Sequence, residues 1–157
     1  MVVLAAQWAA AGEDADSIEA RLRSLIPRVR IYFLVATLAY LARGGRIGGA
    51  AALLGSVLQV KPILTLRDGR VEKLEQERTQ QRAVGRIVEL AVEQCPRDDS
   101  AHLAVMHAAS PDQALALAKD LARTLEVPEP PIVDMPPAVV THGGPGMLGV
   151  GFFASAQ

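Results

Sequence analysis

The chain has 157 residues, long enough for one domain with a real core, and its 16 basic and 17 acidic side chains leave a net charge of -1, which gives no electrostatic reason to bind a phosphate backbone. Its single cysteine, Cys95, excludes an intramolecular disulfide and a thiolate metal cluster and fits a reducing, cytoplasmic setting. Half of the residues are apolar but only 4% are aromatic, so the interior must be built from Ala, Val, Leu and Ile, a composition that suits a lipid pocket as well as a ligand-free core.

Residues 1–11 are apolar, lack a basic leading segment and are too short to span a bilayer. Helical spacing puts Val3, Leu4 and Trp8 on one face, and an uncapped hydrophobic helix starting at the first Met hints at truncation. Asp14, Asp16 or Ser17 caps a second helix whose stripe is Ile18, Leu22, Leu25 and Ile26, ended by Pro27. Residues 30–36 are too continuously apolar for a one-sided strand and predict a central one. A short helix through Leu38, Tyr40, Leu41 and Arg43 breaks at Gly44-Gly45, and a small apolar helix is expected over residues 50–58. Residues 62–66 and 71–74 flank Asp68-Gly69 as a hairpin. Helices follow over residues 78–93 and from Ser110, whose stripe is Ala114, Leu117, Ala118, Leu121 and Leu125, with a strand over 103–108 between them. Short strands are expected over 132–135, 139–141 and 148–153. Strands alternating with helices predict an α/β layered domain, and the hairpin makes its sheet mixed, with 31–35, 63–66 and 103–105 close together in it.

Three stretches break local rules. Arg43-Gly44-Gly45-Arg46-Ile47-Gly48-Gly49 combines a close-turning backbone with two forked cations and suits a carboxylate or phosphate, or else simply joins two helices. It matches neither the P-loop nor the dinucleotide fingerprint. Thr141-His142-Gly143-Gly144-Pro145-Gly146 places a hydroxyl and an imidazole beside a glycine-rich turn, although a plain turn with an exposed histidine would read the same way. Glu77-Arg78-Thr79 suits a helix cap. His102 and His107 lie five apart on one expected strand, point to opposite faces and read as structural, so no metal site is expected. Neither a Ser-His-Asp set nor a carboxylate pair assembles. His142 as the acid or base of a small hydrolase or transferase is one alternative reading, and a ligand-free interaction domain another.

Taken in order, these stretches resemble the DegV family. The resemblance is carried by residues 30–41 with Gly44-Gly45-Arg46-Ile47-Gly48, by Lys61-Pro62-Ile63-Leu64 with the Asp68-Gly69 hairpin and Glu77-Arg78-Thr79, and by Thr141-His142-Gly143-Gly144-Pro145-Gly146 with Leu148-Gly149. Family members usually carry acids where Ala36 and Ala39 stand, a departure expected to affect stability slightly. The resemblance implies that residues 1–157 are the C-terminal lobe of a bacterial, non-enzymatic long-chain fatty-acid carrier, with no cofactor besides the bound acyl chain. It further implies an absent N-terminal lobe, whose hydroxyl side chains help hold the carboxylate, and a fatty acid kinase as a candidate partner. Self-association through the face left uncovered is expected. The head-group residues would be His142, Arg46, Thr141, Gly143 and Gly144. The acyl tunnel would draw on Leu38, Ile47, Leu53, Leu54, Val57, Ile63 and Leu64, because the helix after the glycine turn is free of charge.

Overall fold

The computed structural model describes residues 1–53 and 60–155, so Leu54 and Val57, with most of the expected helix over 50–58, lie outside the described residues. Helices α1 (Val2–Ala10) and α2 (Ala15–Leu25) lead through a 3-10 turn (Ile26–Arg28) to β1 (Val29–Leu34), α3 (Ala39–Arg43) and a 3-10 segment (Gly48–Leu53). There follow β2 (Lys61–Arg67), β3 (Arg70–Glu77), α4 (Gln80–Gln94), a 3-10 turn (Asp99–Ala101), β4 (Ala104–His107) and α5 (Pro111–Leu125). The described chain closes with β5 (Ile132–Asp134), α6 (Pro137–Gly143) and β6 (Leu148–Phe153).

The strands form one sheet in the order β3-β2-β1-β6-β4-β5, antiparallel except for the β4–β5 pair. It is a mixed sheet flanked by helices, as expected, with β1 beside β2 and one strand away from β4. Alternation along the strands sorts the core into two clusters. Tyr32, Leu34, Ile63, Val105, Leu148 and Val150 pack under the stripes of α4 and α5, sealing one face. Phe33, Val35, Leu64, Ala108 and Met147 face the other way, into a smaller cluster closed by Leu41 of α3 and Ala50. Asp14 caps α2 by accepting from the Ser17 N–H at 3.0 Å, and Thr79 caps α4 by accepting from Arg82 N–H at 3.2 Å. No helix among the described residues is long and apolar enough to cross a membrane.

The structure differs from the sequence reading in several places. Residues 139–141 lie in α6 rather than in a strand, because Pro136-Pro137 pre-sets a helical first turn and the Val139 and Val140 N–H groups both donate to the Pro136 carbonyl. In α1 only Leu4 is buried, while Val3 is 69% exposed because its neighbour's position takes the inward direction. Trp8 is half-buried under the Arg21 guanidinium, 3.8 Å from the ring centroid. The α2 stripe is only half-buried, and Ile26 is left exposed at the start of the 3-10 turn. Ser110 stands at the α5 N-cap without a capping side-chain bond, its Oγ donating instead to the Ala108 carbonyl at 3.4 Å. His102 is not on a strand: it follows the 3-10 turn in a left-handed conformation, its ring edge-on to Phe153.

Candidate functional site

Register places the C-terminal ends of β1, β4 and β5 and the N-terminal ends of β2 and β6 at one end of the sheet, since Leu34 and His107 both pair with Leu148, and Phe33 with Leu64. Lys61 pairs with Glu77, so Thr79 starts α4 at that same end. The 141–146 stretch, Glu77–Thr79 and the Gly44 end of the first stretch therefore lie toward that end, although about a hundred residues separate Gly44 from His142, whereas Gly48 and Gly49 pack over Val71 and Glu72 toward the hairpin.

Two short helices meet above this end through a reciprocal pair of glycine contacts. The His142 imidazole of α6 lies against Gly44, where any Cβ would overlap Nδ1. The Tyr40 ring of α3 lies against Gly144, where a Cβ would overlap the ring. Gly44 has an ordinary φ of -80°, so its requirement is steric, whereas Gly144 has φ +79° and needs glycine for its backbone as well. Arg46 Nη1 donates to the Gly44 carbonyl at 2.7 Å. His142 and Arg46 are thus brought together on the two sides of one glycine. Arg43 stacks over Tyr40 at 4.7 Å, adding a second cation to the same corner.

The electrostatics of this notch are unbalanced. Nδ1 of His142 is buried without a hydrogen-bond partner among the described residues, a costly state for a polar atom unless something meets it. Neither Arg43 nor Arg46 is paired with a carboxylate among the described residues, in contrast to Arg21, Arg23, Arg86 and Arg123. Beside it lies the smaller core cluster, in which Leu38, Ile47 and Val140 are half-buried against Phe33, Leu64 and Met147. An imidazole nitrogen without a partner and two arginines without a carboxylate, next to an aliphatic cluster, suit an amphiphilic anion.

Other expected site residues behave differently. Thr141 is exposed and its Oγ1 donates to the Pro137 carbonyl at 2.8 Å, so its hydroxyl proton is committed to its own helix. Gly143 is buried because a Cβ there would overlap the Met147 sulfur, which makes it a packing position. Leu53 ends the 3-10 segment half-buried. Ile63 and Leu64 lie on opposite sides of the sheet: Ile63 packs into the α4–α5 cluster while Leu64 joins Leu38 and Ile47, as adjacent strand residues must. Sequence reasoning put Gly44 in the glycine-arginine turn without its contact to His142, and it missed Tyr40 as a site residue. The signal for Gly44 was the first glycine of the pair, and Tyr40 gave none beyond its place in the short helix.

Two open clefts, of about 610 and 240 Å³, lie at the opposite end, around His102 with Pro128–Pro131 and around Gly151 with Phe153. Among the described residues no cluster of three or more His, Cys, Asp or Glu side chains could hold a metal ion. Burial, with the Asp98 charge, pushes the Cys95 thiol up to about 11, which keeps it protonated at neutral pH and unsuited to nucleophilic attack.

A family model described as "Uncharacterised protein, DegV family" matches residues 1–155. A DegV domain-containing protein of Streptomyces coelicolor is 41% identical over 150 residues, covering 93% of this chain and 52% of that protein. Among solved structures, a fatty acid binding DegV family protein from Streptococcus agalactiae superposes with a TM-score of 0.84 at 27% identity, over 97% of this chain and 54% of that one. A DegV family protein from Thermus thermophilus, described by its fatty acid binding, gives 0.83 at 32%, over 98% and 55%. The chain spans about half the length of the relatives it matches. With the family match running along almost all of its length, the chain belongs to the DegV family.

Proposed function

We propose that the chain is the C-terminal lobe of a long-chain fatty-acid carrier, with the acyl chain lying against the smaller core cluster and the carboxylate held in the notch between α3 and α6. The observation that carries this reading is the buried Nδ1 of His142, without a partner among the described residues, set beside Arg46 on Gly44 and next to Leu38, Ile47 and Leu64. Each methylene that leaves water contributes about 0.8 kcal/mol, so a long acyl chain supplies most of its own affinity and needs few donors at its head. The solved relatives described as fatty acid binding proteins support the same ligand class. Among the described residues no group meets Nδ1 of His142 to orient the ring for acid–base work, which favours binding over turnover. Its place at the end of the sheet suits a carrier that presents the carboxylate to a fatty acid kinase.

Organic extraction of the purified chain followed by mass spectrometry should release long-chain fatty acid in stoichiometric amount. His142→Ala should weaken rebinding roughly tenfold without unfolding the domain, the loss expected for one charged hydrogen bond. Protein that carries no fatty acid, and cannot be loaded with it when the complementary lobe is supplied, would overturn the reading.

A further inference from the structure

His107 ends β4 at the same end of the sheet as His142, and it is only 7% exposed. The proposed function makes no use of it, yet both of its nitrogens are engaged. Nδ1 accepts from the Ser110 N–H at 3.4 Å, which leaves the ring proton of the neutral form on Nε2. Nε2 in turn lies 3.5 Å from Oδ1 of Asp134, the last residue of β5. The His107 carbonyl accepts from the Met135 N–H at 2.8 Å. The chain then leaves the sheet, forms α6 and returns, and its return is fixed to the neighbouring residue. Gly146 N–H donates to the Ala108 carbonyl at 2.8 Å, and Ala108 N–H donates to the Met147 carbonyl at 3.0 Å. Residues 136–145, His142 among them, thus form an excursion with both feet on positions 107 and 108.

β5 is three residues long, exposed throughout and paired on one side only. Apolar contact alone is non-directional and would fix its register weakly. A slip by one residue would put Val133 or Met135 opposite His107 and move the start of α6 with it.

We propose that His107, through Asp134, is a positioning residue that holds the register of β5 and so sets the His142 imidazole against Gly44, resting on the reading that His142 meets the head group. The test uses the 157-residue chain with isotope-labelled histidine, following the His142 ring resonance and the affinity for palmitate. Asp134→Ala is made in an exposed side chain and should shift the His142 resonance, although Asp134 does not touch His142, and weaken palmitate binding roughly fivefold. His107→Leu should do the same, and His107→Gln, which keeps a donor where Nε2 stood, should restore both readouts. Asp120→Ala, at an exposed acid on α5, should change neither. Should His107→Leu fail to fold, Asp134→Ala still decides. An unmoved His142 resonance in Asp134→Ala overturns the inference. If the wild-type chain binds no palmitate even with the complementary lobe supplied, the head-group reading fails by itself, and the resonance alone then supports or overturns the positioning role.

Discussion

Gly44 and Gly45 stand side by side in the same turn for different reasons, and that difference is testable. Gly45 has φ +66° and open space around it, so alanine there costs about 1–2 kcal/mol of backbone strain and touches nothing. Gly44 has an ordinary backbone, yet a methyl group would overlap the His142 imidazole, and overpacking of this kind costs about 1–3 kcal/mol. Urea unfolding should therefore show both variants destabilised. Fatty-acid titration should show Gly44→Ala weakened by an order of magnitude and Gly45→Ala unchanged, and equal affinities would remove His142 from the notch. The sequence made this turn and His142 visible because glycines and a histidine stand out of an aliphatic chain. Tyr40 stayed hidden because an aromatic residue in a short helix reads as core, and its partner Gly144 is about a hundred residues away. Ile63 was legible as a strand residue, and alternation alone sets it on the opposite face from Leu64.

Among the elements, α4 is tied to the sheet by more than its stripe. Arg86 binds Glu75 of β3 through two hydrogen bonds, at 2.7 and 3.0 Å, and also reaches Glu89 and Glu93 on its own helix. Arg86 holds the Glu75 carboxyl below its ordinary value, against a smaller opposing effect of burial. A carboxyl with a depressed folded value stabilises fully above the unfolded carboxylate range and loses that contribution as pH falls through the folded value. Arg86→Met should thus lower the unfolding free energy from urea titration at neutral pH, by at most about 1 kcal/mol for a partly exposed pair. At a pH low enough to protonate Glu75 in the folded state as well, the variant and the wild type should converge. A constant gap at both pH values would show that packing, not charge, is what Arg86 contributes. The long helices were readable because α4 and α5 are each fifteen residues of clean periodicity. The seven residues of α6 were not, since Val139-Val140-Thr141 favours a strand locally and only the proline pair and the tether to β4 make it a helix.

At the scale of the molecule the two faces of the sheet are unequal. One is sealed by α4 and α5, and the other is covered by shorter pieces. Met1, Val2 and Val3 on α1, and Ile132, Val133 and Val139 near the β5 edge, remain exposed. Contiguous apolar surface of more than a few hundred Å² is rarely left uncovered in a monomer. Sedimentation velocity should show concentration-dependent self-association of the chain, reversed when the complementary lobe is added, and a clean monomer at high concentration would count against it. The order of the strands has a separate consequence for how the chain is made. β6 is the last of the six in sequence but sits between β1 and β4, so the hairpin side and the β4–β5 side share no strand pairing until residues 148–153 dock. On the ribosome the two halves would emerge as separate, partly structured pieces. The sheet closes only when β6 docks, in a slow step dominated by distant contacts.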